Sequence, residues 1–106
     1  MKKSERNKLD KKVFSEIRER GKCERCGKTA HLQCCHIFSR RYIKLRHDPL
    51  NLLCLCAGCH LWSHSVPILF TEWVMEYLGK EDYDTLKKVA YSHYKYGWEV
   101  KSEDKM

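Results

Sequence analysis

Apolar side chains recur at helical spacing near the start of the chain. Leu9, Val13 and Ile17 are four residues apart, which places them on one side of a helix. Gly21 follows this repeat, and glycine is common just after a helix ends. The pattern predicts an N-terminal helix over about residues 8–20, with one apolar stripe that faces the core.

Two short stretches in the middle of the chain have the length and composition of strands. Residues 29–37 are rich in cysteine and apolar side chains, and residues 50–55 form an apolar run. Between them lies a basic loop, residues 38–49, which an Asp-Pro pair closes. We expect the two strands to pair with each other, and a short helix over about residues 57–65 to follow them.

Two more helices are predicted after this unit. The first has Pro67 near its first turn and Gly79 after its end, in keeping with the positional preferences of these residues. The second covers about residues 81–96 and stops at Gly97, and residues 98–106 form a tail. The sequence thus predicts one α+β domain, mainly helical, in which N- and C-terminal helices flank a ββα unit. The apolar positions of the two helices are Ile68, Leu69, Phe70, Trp73, Val74, Tyr77 and Leu78, then Tyr83, Leu86, Val89, Ala90 and Tyr94.

Cysteine usage and the N-terminal residues indicate the compartment. Seven cysteines in 106 residues would suit a disulfide-linked secreted protein, but their number is odd. The first residues, MKKSERNKLDKK, lack the apolar segment of a signal peptide. The chain also lacks the roughly 20 consecutive apolar residues that a membrane span needs. We therefore expect a soluble cytoplasmic protein with no membrane partner, in which the paired cysteines bind metal.

Charge is unevenly distributed along the chain. The formal net charge is +7, but residues 1–47 carry fifteen Lys or Arg against five acids, whereas residues 48–106 are net acidic. Lys and Arg that neutralise phosphates release condensed counterions, so this asymmetry favours a polyanionic partner such as DNA. A solvated basic surface is the alternative that charge alone leaves open. The basic residues between positions 36 and 47, where no acid occurs, are Arg40, Arg41, Lys44 and Arg46.

Two Cys-x-x-Cys pairs lie on either side of the predicted strands. Each such turn places two sulfurs on one ion without backbone strain, and zinc binds thiolates in tetrahedral geometry. The sequence therefore predicts one structural zinc that holds the two arms of the unit together. Cys54, two residues before the second pair, is an alternative fourth ligand. The four predicted ligands are Cys23, Cys26, Cys56 and Cys59.

Three histidines predict a second metal site. His60 and His64 are one helical turn apart and share a helix face, as two imidazoles must in order to bind one ion. His36 lies on a strand that a ββα unit lays against this helix. A metal that grips a phosphate oxygen, together with a neutral imidazole that deprotonates water, suffices for phosphodiester hydrolysis. Taken singly, each histidine has a structural alternative. His60 is then a supplement to the zinc site, His64 a helix cap and His36 a packed core residue.

The stretch CCHIFSRR…RHDPLNLLCLCAGCHLWSH, within residues 23–66, resembles the HNH, or ββα-metal, nuclease motif. More narrowly it is similar to small phage HNH endonucleases and to the lambda NinG/Rap group, whose motif contains a similar His-x-Phe-Ser-Arg stretch and CxxCH knuckle. The resemblance implies a zinc-stapled ββα-metal core and a metal-dependent endonuclease that hydrolyses DNA. It further implies a gene carried by a phage or mobile element, so that the protein acts in the cytoplasm of the host cell.

The same resemblance assigns roles to individual residues. His36 would be the general base, and Asn51 would hold the loop between the strands through backbone hydrogen bonds. His60 and His64 would ligate the catalytic ion, for which Mg²⁺, Mn²⁺, Ni²⁺ and Zn²⁺ are candidates. The basic residues Arg40 and Arg41 are expected near the scissile phosphate, with Lys44 and Arg46 along the DNA backbone.

One position departs from the family pattern. Many members have Asp or His immediately before the general base, as a further metal ligand, whereas this chain has Cys35. A thiolate is a poor ligand for Mg²⁺ but is acceptable to Zn²⁺ and other transition ions. Either Cys35 ligates such an ion, or the ion is held by two histidines plus water and phosphate. Cys34 and Cys35 point to opposite faces of the strand, so at least one of them is expected to be an ordinary buried cysteine.

Two alternatives to a general DNA endonuclease stay open. One is a non-catalytic zinc-binding module for nucleic acids, and the other is a branched-DNA recombination nuclease of NinG/Rap type. One ββα unit cuts one strand, so cutting both strands requires either two events or a homodimer, for which the C-terminal aromatic residues offer an interface. Core packing is the simpler role for those aromatics, which are Trp73, Tyr77, Tyr94 and Trp98.

Overall fold

Four helices and a two-stranded sheet make up the computed structural model, which describes residues 1–92. This arrangement confirms the predicted α+β class and the predominance of helix in that part of the chain. No helix within it is long and apolar enough to cross a membrane. The elements are α1 (Lys3–Arg18), β1 (Leu32–His36), a 3-10 turn (Pro49–Asn51), β2 (Leu52–Cys56), α2 (Ala57–Ser65), α3 (Pro67–Leu78) and α4 (Lys80–Ser92).

The two strands pair in antiparallel register, with Cys34 opposite Cys54 at the centre of the ladder. On one face of the sheet, Ile17 of α1 packs against Leu52 and Cys54. The other face packs against α2 and α3. Because both faces are covered, every residue of β2 is buried. This explains why the sequence of β2 reads as a continuous apolar run rather than as an alternation.

The α3 helix closes the second face of the sheet. Its residues Phe70 and Val74 are buried against Leu53 and Leu55 of β2. Trp73, also on α3, packs against the same cluster and stacks on Tyr77 with ring centroids 4.9 Å apart. Trp73 therefore has the core-packing role, whereas Tyr94 and Trp98 lie outside the described residues.

A separate apolar cluster attaches the basic loop to α4. Leu45 of the loop is fully buried against Leu86 and Ala90 of α4. The sequence pattern did not predict this contact, because Leu45 stands alone among charged residues and belongs to no periodic repeat. This leucine thus anchors the basic loop to α4.

Element boundaries differ from the predicted ones for identifiable reasons. The first helix begins at Lys3 rather than near residue 8, because residues 3–7 are all polar and add nothing to the apolar repeat. The first strand begins only at Leu32, since His31 has a φ of 55° and cannot continue an extended strand. The second strand begins at Leu52, because the Asp48 carboxylate accepts a hydrogen bond from the amide of Leu50 and starts the 3-10 turn.

The start and end of α3 and the start of α4 lie at or next to the predicted positions. Pro67 is in the first turn of α3, and Gly79 ends that helix with a φ of 92°, a left-handed value that favours glycine. The next helix, α4, begins at Lys80, one residue earlier than predicted. The predicted continuation to residue 96, the stop at Gly97 and the tail 98–106 lie outside the described residues.

We expect the covered sheet to contribute strongly to stability. Leu55 on β2 is 0% exposed. Leu55→Ala should therefore lower the free energy of unfolding by about 2–5 kcal/mol, measured by urea denaturation of the zinc-saturated protein. The matched control is Leu61→Ala on α2, because Leu61 is 68% exposed and its loss should cost less than about 0.5 kcal/mol. Equal losses in the two variants would contradict the assigned core.

Candidate functional site

The four-cysteine site, Cys23, Cys26, Cys56 and Cys59, joins the segment after α1 to the end of the sheet. Cys56 is the last residue of β2, and Cys59 lies in the first turn of α2. The other two cysteines occupy a turn that runs beside β2, where the amide of Glu24 donates to the carbonyl of Cys54 at 2.8 Å. All four sulfurs lie within 4.8 Å of one another. The predicted grouping of these cysteines is therefore confirmed.

The sulfur positions suit a tetrahedral metal. A tetrahedron with zinc–sulfur bonds of about 2.3 Å has sulfurs about 3.8 Å apart. The sulfurs of Cys26 and Cys56 are 3.6 Å apart. The alternative ligand Cys54 is excluded from this group, because its side chain lies in the apolar cluster with Ile17 and Leu52. The four residues present can hold a metal ion, and their thiolate chemistry fits zinc.

Backbone amides stabilise negative charge on the first sulfur of each pair. The amide of Cys26 donates to Cys23 Sγ at 3.4 Å, and the amide of Cys59 donates to Cys56 Sγ at 3.5 Å. Burial opposes ionisation of Cys23, but backbone amides outweigh it and lower the pKa of this thiol to about 6. At Cys59 burial raises the pKa to about 12, and the neighbouring sulfurs act in the same direction. Full ionisation of all four thiols therefore needs a cation at the centre.

Arg25 covers the four-cysteine site from outside. Its guanidinium lies 3.5 Å from the ring centroid of Trp62 and donates to Cys59 Sγ at 3.4 Å. A positive charge beside the thiolates partly offsets the net negative charge of a four-sulfur zinc complex. Sequence reasoning did not single out Arg25, although a basic residue inside a Cys-x-x-Cys pair was a visible signal.

A cleft of about 660 Å³ collects most of the predicted catalytic residues. We call it the histidine cleft, and define it by His36, His60 and His64 in its wall. These three residues come from β1 and α2. Arg40 also lines the cleft, as does Arg18 of α1, which sequence reasoning did not select. The remaining lining residues are Phe14, Gln33, Cys34, Ile37, Ser39, Ser63, Pro67, Phe70 and Thr71.

His60 and His64 lie side by side on α2, with ring centroids 5.0 Å apart. The side-chain oxygen of Gln33 accepts a hydrogen bond from His60 Nδ1 at 2.7 Å, because an amide oxygen can only accept. His60 Nε2 therefore keeps its lone pair. Burial, followed by the proximity of His64, lowers the pKa of His60 and favours the neutral imidazole that metal binding requires.

A third protein ligand does not join these two histidines in residues 1–92. In that range the four-cysteine site is the one group of three or more His, Cys, Asp or Glu ligand atoms found at metal-binding distances. Cys35 is only 1% exposed, and its sulfur lies 3.7 Å from the hydroxyl of Ser63. Burial raises the pKa of Cys35 to about 11, so the thiol is protonated at neutral pH. The neighbouring Cys34, on the opposite face of β1, lines the cleft instead.

His36 is held in a single tautomer by the basic loop. The backbone carbonyl of Arg46 lies 3.1 Å from His36 Nε2 and can only accept, so Nε2 carries the proton and Nδ1 carries the lone pair. The ring also packs edge-on against Phe14 of α1, with centroids 5.1 Å apart. Burial lowers the pKa of His36, although its hydrogen bond to Arg46 opposes the shift. The imidazole is therefore neutral near pH 7.

Asn51 fixes the path of the basic loop. Its side chain is fully buried, so every polar atom requires a partner. The Oδ1 atom accepts from the amide of Phe38 at 2.8 Å. The Nδ2 group donates to the carbonyls of Phe38 and Leu45 at 3.0 and 3.1 Å. One side chain therefore ties both ends of the segment 38–45 to the start of β2.

The four predicted DNA-binding residues have different environments. Arg40, Arg41 and Lys44 are exposed, and Arg40 faces the histidine cleft. Arg46 is largely buried, and its guanidinium forms two hydrogen bonds to the carboxylate of Asp10 on α1. Because this carboxylate offsets its charge, Arg46 differs from the exposed Arg40 as a candidate phosphate contact. Asp10 was not selected from the sequence, because it lies 36 positions away with no motif around it.

The chain has no match among protein-family models, curated proteins or solved structures.

Removal of metal from the four-cysteine site should unfold the domain, because binding energy in such sites is also folding energy. We expect Cys23→Ser to lose about one tightly bound zinc per chain and most of its helical circular dichroism. The control is Cys34→Ser, whose side chain lies outside the site and should leave both readings unchanged. A metal-free protein that still unfolds cooperatively with unchanged stability would contradict this structural role.

Proposed function

We propose that the protein is a metal-dependent HNH endonuclease that hydrolyses DNA phosphodiester bonds. Four cysteines would hold a structural zinc, and a separate ion would act in the histidine cleft. The observation that carries this proposal is the meeting of His36, His60 and His64 in one cleft with Arg40 and Arg18 on its wall. These residues come from separate elements, and a cleft with basic and imidazole groups suits a phosphate at its centre.

The basic residues of the cleft would bind and orient the phosphate. Arg40 and Arg18 provide planar guanidinium groups that match phosphate oxygens in two-point contacts. Such contacts position a strand but carry no information about base sequence. We therefore propose that recognition at the cleft itself depends on the backbone of the DNA.

His36 would act as the general base. Because its Nε2 proton is held by the carbonyl of Arg46, Nδ1 is the nitrogen that can accept a proton from water. The lowered pKa keeps the ring neutral at physiological pH, as a base must be before reaction. Asn51 would support this geometry indirectly, because it fixes the loop that carries the Arg46 carbonyl.

His60 and His64 would hold the catalytic ion. Imidazole ligands suit Zn²⁺ and Ni²⁺, whereas Mg²⁺ and Mn²⁺ prefer carboxylates and water. When bound, such an ion supplies Lewis-acid stabilisation of the phosphate and the leaving oxygen. With the Cys35 thiol buried against Ser63, two protein ligands leave several positions for water and phosphate oxygens.

A non-catalytic nucleic-acid-binding module is the second candidate. The observation that favours it is the absence, in residues 1–92, of a third protein ligand beside His60 and His64. Such a module would have the four-cysteine site and the basic loop but would not cleave DNA. Cleavage assays on supercoiled, linear and branched DNA across Mg²⁺, Mn²⁺, Ni²⁺ and Zn²⁺ separate the two candidates.

We expect His36→Ala to separate catalysis from binding. Loss of a positioned general base should reduce the nicking rate by roughly 10²–10⁴-fold. DNA affinity should change little and the protein should stay folded, because the base contributes mainly to the transition state. His31→Ala is the matched control, since His31 is exposed and lies outside the cleft. Wild-type protein that cleaves no substrate with any of the four ions would favour the binding module.

The environments of Arg40 and Arg46 lead to different expectations for DNA binding. Arg40→Ala should reduce the slope of log K against log salt by roughly one, as expected for one lost phosphate contact. Arg46→Ala should change this slope less and should lower the thermal midpoint, because it leaves the Asp10 carboxylate without its partner. Equal slope changes without destabilisation of Arg46→Ala would show that Arg46 contacts DNA directly.

A further inference from the structure

Asp10 lies at the junction between α1 and the basic loop. Its carboxylate accepts hydrogen bonds from Arg46 Nε at 2.8 Å and from Arg46 Nη2 at 2.5 Å. It also accepts from His47 Nε2 at 2.5 Å. The side chains of all three residues are less than one-fifth exposed. One acid of the first helix therefore holds two consecutive residues of the loop.

One of these two residues, Arg46, also contacts the candidate base. The carbonyl of Arg46 is the acceptor for His36 Nε2, at 3.1 Å. Phe14, one helical turn after Asp10, packs its ring against His36 and lies 6.1 Å from the ring of His47. The same face of α1 therefore contacts the imidazole and the backbone segment that orients it.

We propose that Asp10 is a positioning residue for His36. By holding Arg46 and His47, its carboxylate directs the Arg46 carbonyl toward Nε2, so that the Nδ1 lone pair is available in the histidine cleft. Asp10 does not line the cleft and acts only through the residues of the basic loop that it holds. This inference rests on the proposed role of His36 as a base, but its structural part concerns the tautomer and can be measured without any cleavage.

The ionic character of the contact supports this role. Hydrogen bonds from Arg46 hold the pKa of the Asp10 carboxyl well below its usual range, so the acid stays charged near neutral pH. A two-point pairing of guanidinium with carboxylate restricts direction as well as distance. The Arg46 backbone is therefore held more rigidly than a single neutral hydrogen bond would allow.

The first experiment measures the tautomer. Long-range ¹H–¹⁵N spectra of the zinc-loaded protein should show His36 as the Nε2–H form, with the signal assigned by its loss in His36→Gln. In Asp10→Asn the Nδ1–H form should appear as a second population. Glu16→Gln is the control, because it removes one acid from an exposed position of the same helix. An unchanged His36 tautomer in folded Asp10→Asn would overturn the proposal.

A second variant covers the case in which Asp10→Asn does not fold. Arg46→Gln keeps the backbone carbonyl but removes the guanidinium that Asp10 holds, so it should shift the tautomer in the same direction. Retention of the Nε2–H form in this variant would also overturn the proposal, because the carbonyl would then be positioned without the ion pair.

Cleavage kinetics test the positioning role of Asp10 independently of the tautomer measurement. If Asp10 positions the base, kcat for nicking should fall by roughly 10–10²-fold in Asp10→Asn. KM for DNA should stay within about twofold, because Asp10 does not touch the cleft. A rise in KM with unchanged kcat would contradict the positioning role. A tautomer shift in a protein that cleaves no DNA would support the positioning of His36 and contradict the proposed nuclease function.

Discussion

The convergence of four sulfurs on one point is the constraint from which the rest of the structure follows. A two-stranded sheet is too small to be stable alone, and a chain of this length buries a modest core. The four-cysteine site joins the turn after α1 to the junction of β2 and α2. With this connection, α1 is held on one face of the sheet and α2 on the other. Both faces are then covered, and β2 is buried completely.

The need to satisfy buried polar groups shapes the loop between the strands. Asn51 and Asp10 both lie where their side chains have little access to water, and the side-chain hydrogen bonds of both go to this loop. Leu45 adds an apolar anchor on the side of α4. A basic segment that reads as flexible in the sequence is thus held by an amide, a carboxylate and a leucine. This support allows the loop to present a backbone carbonyl to His36 at a defined position.

The arrangement of the histidines combines local and long-range effects. His60 and His64 are adjacent because a helix places residues four apart on the same face. Burial and the proximity of His64 favour the neutral form of His60, and Gln33 from β1, which is distant in sequence, fixes its tautomer. His36 depends on longer connections still, through Arg46 to α1. In the proposed chemistry, different elements of the fold orient the base and the ion-binding pair.

The residues that the sequence by itself identified are those whose arrangement follows from spacing along the chain. The Cys-x-x-Cys pairs, the helical repeat around Val13 and the His60–His64 pair each depend on neighbours within one or two turns. Their grouping was predictable because local backbone geometry brings such residues together in any fold that contains them. The bounds of α1 and β1 were less predictable, since a polar first turn and a left-handed His31 have no apolar pattern.

Only the tertiary structure decided which side chains face the histidine cleft and which are held elsewhere. Arg18 lines the cleft although it belongs to the first helix, and the Cys35 thiol is buried against Ser63. Arg46 pairs with Asp10, 36 positions away, although the sequence groups it with exposed basic residues. Each outcome depends on which distant surface packs against the residue. Spacing along a chain carries no information about that choice, because burial and ion pairing are set by contacts that form only when the helices close on the sheet.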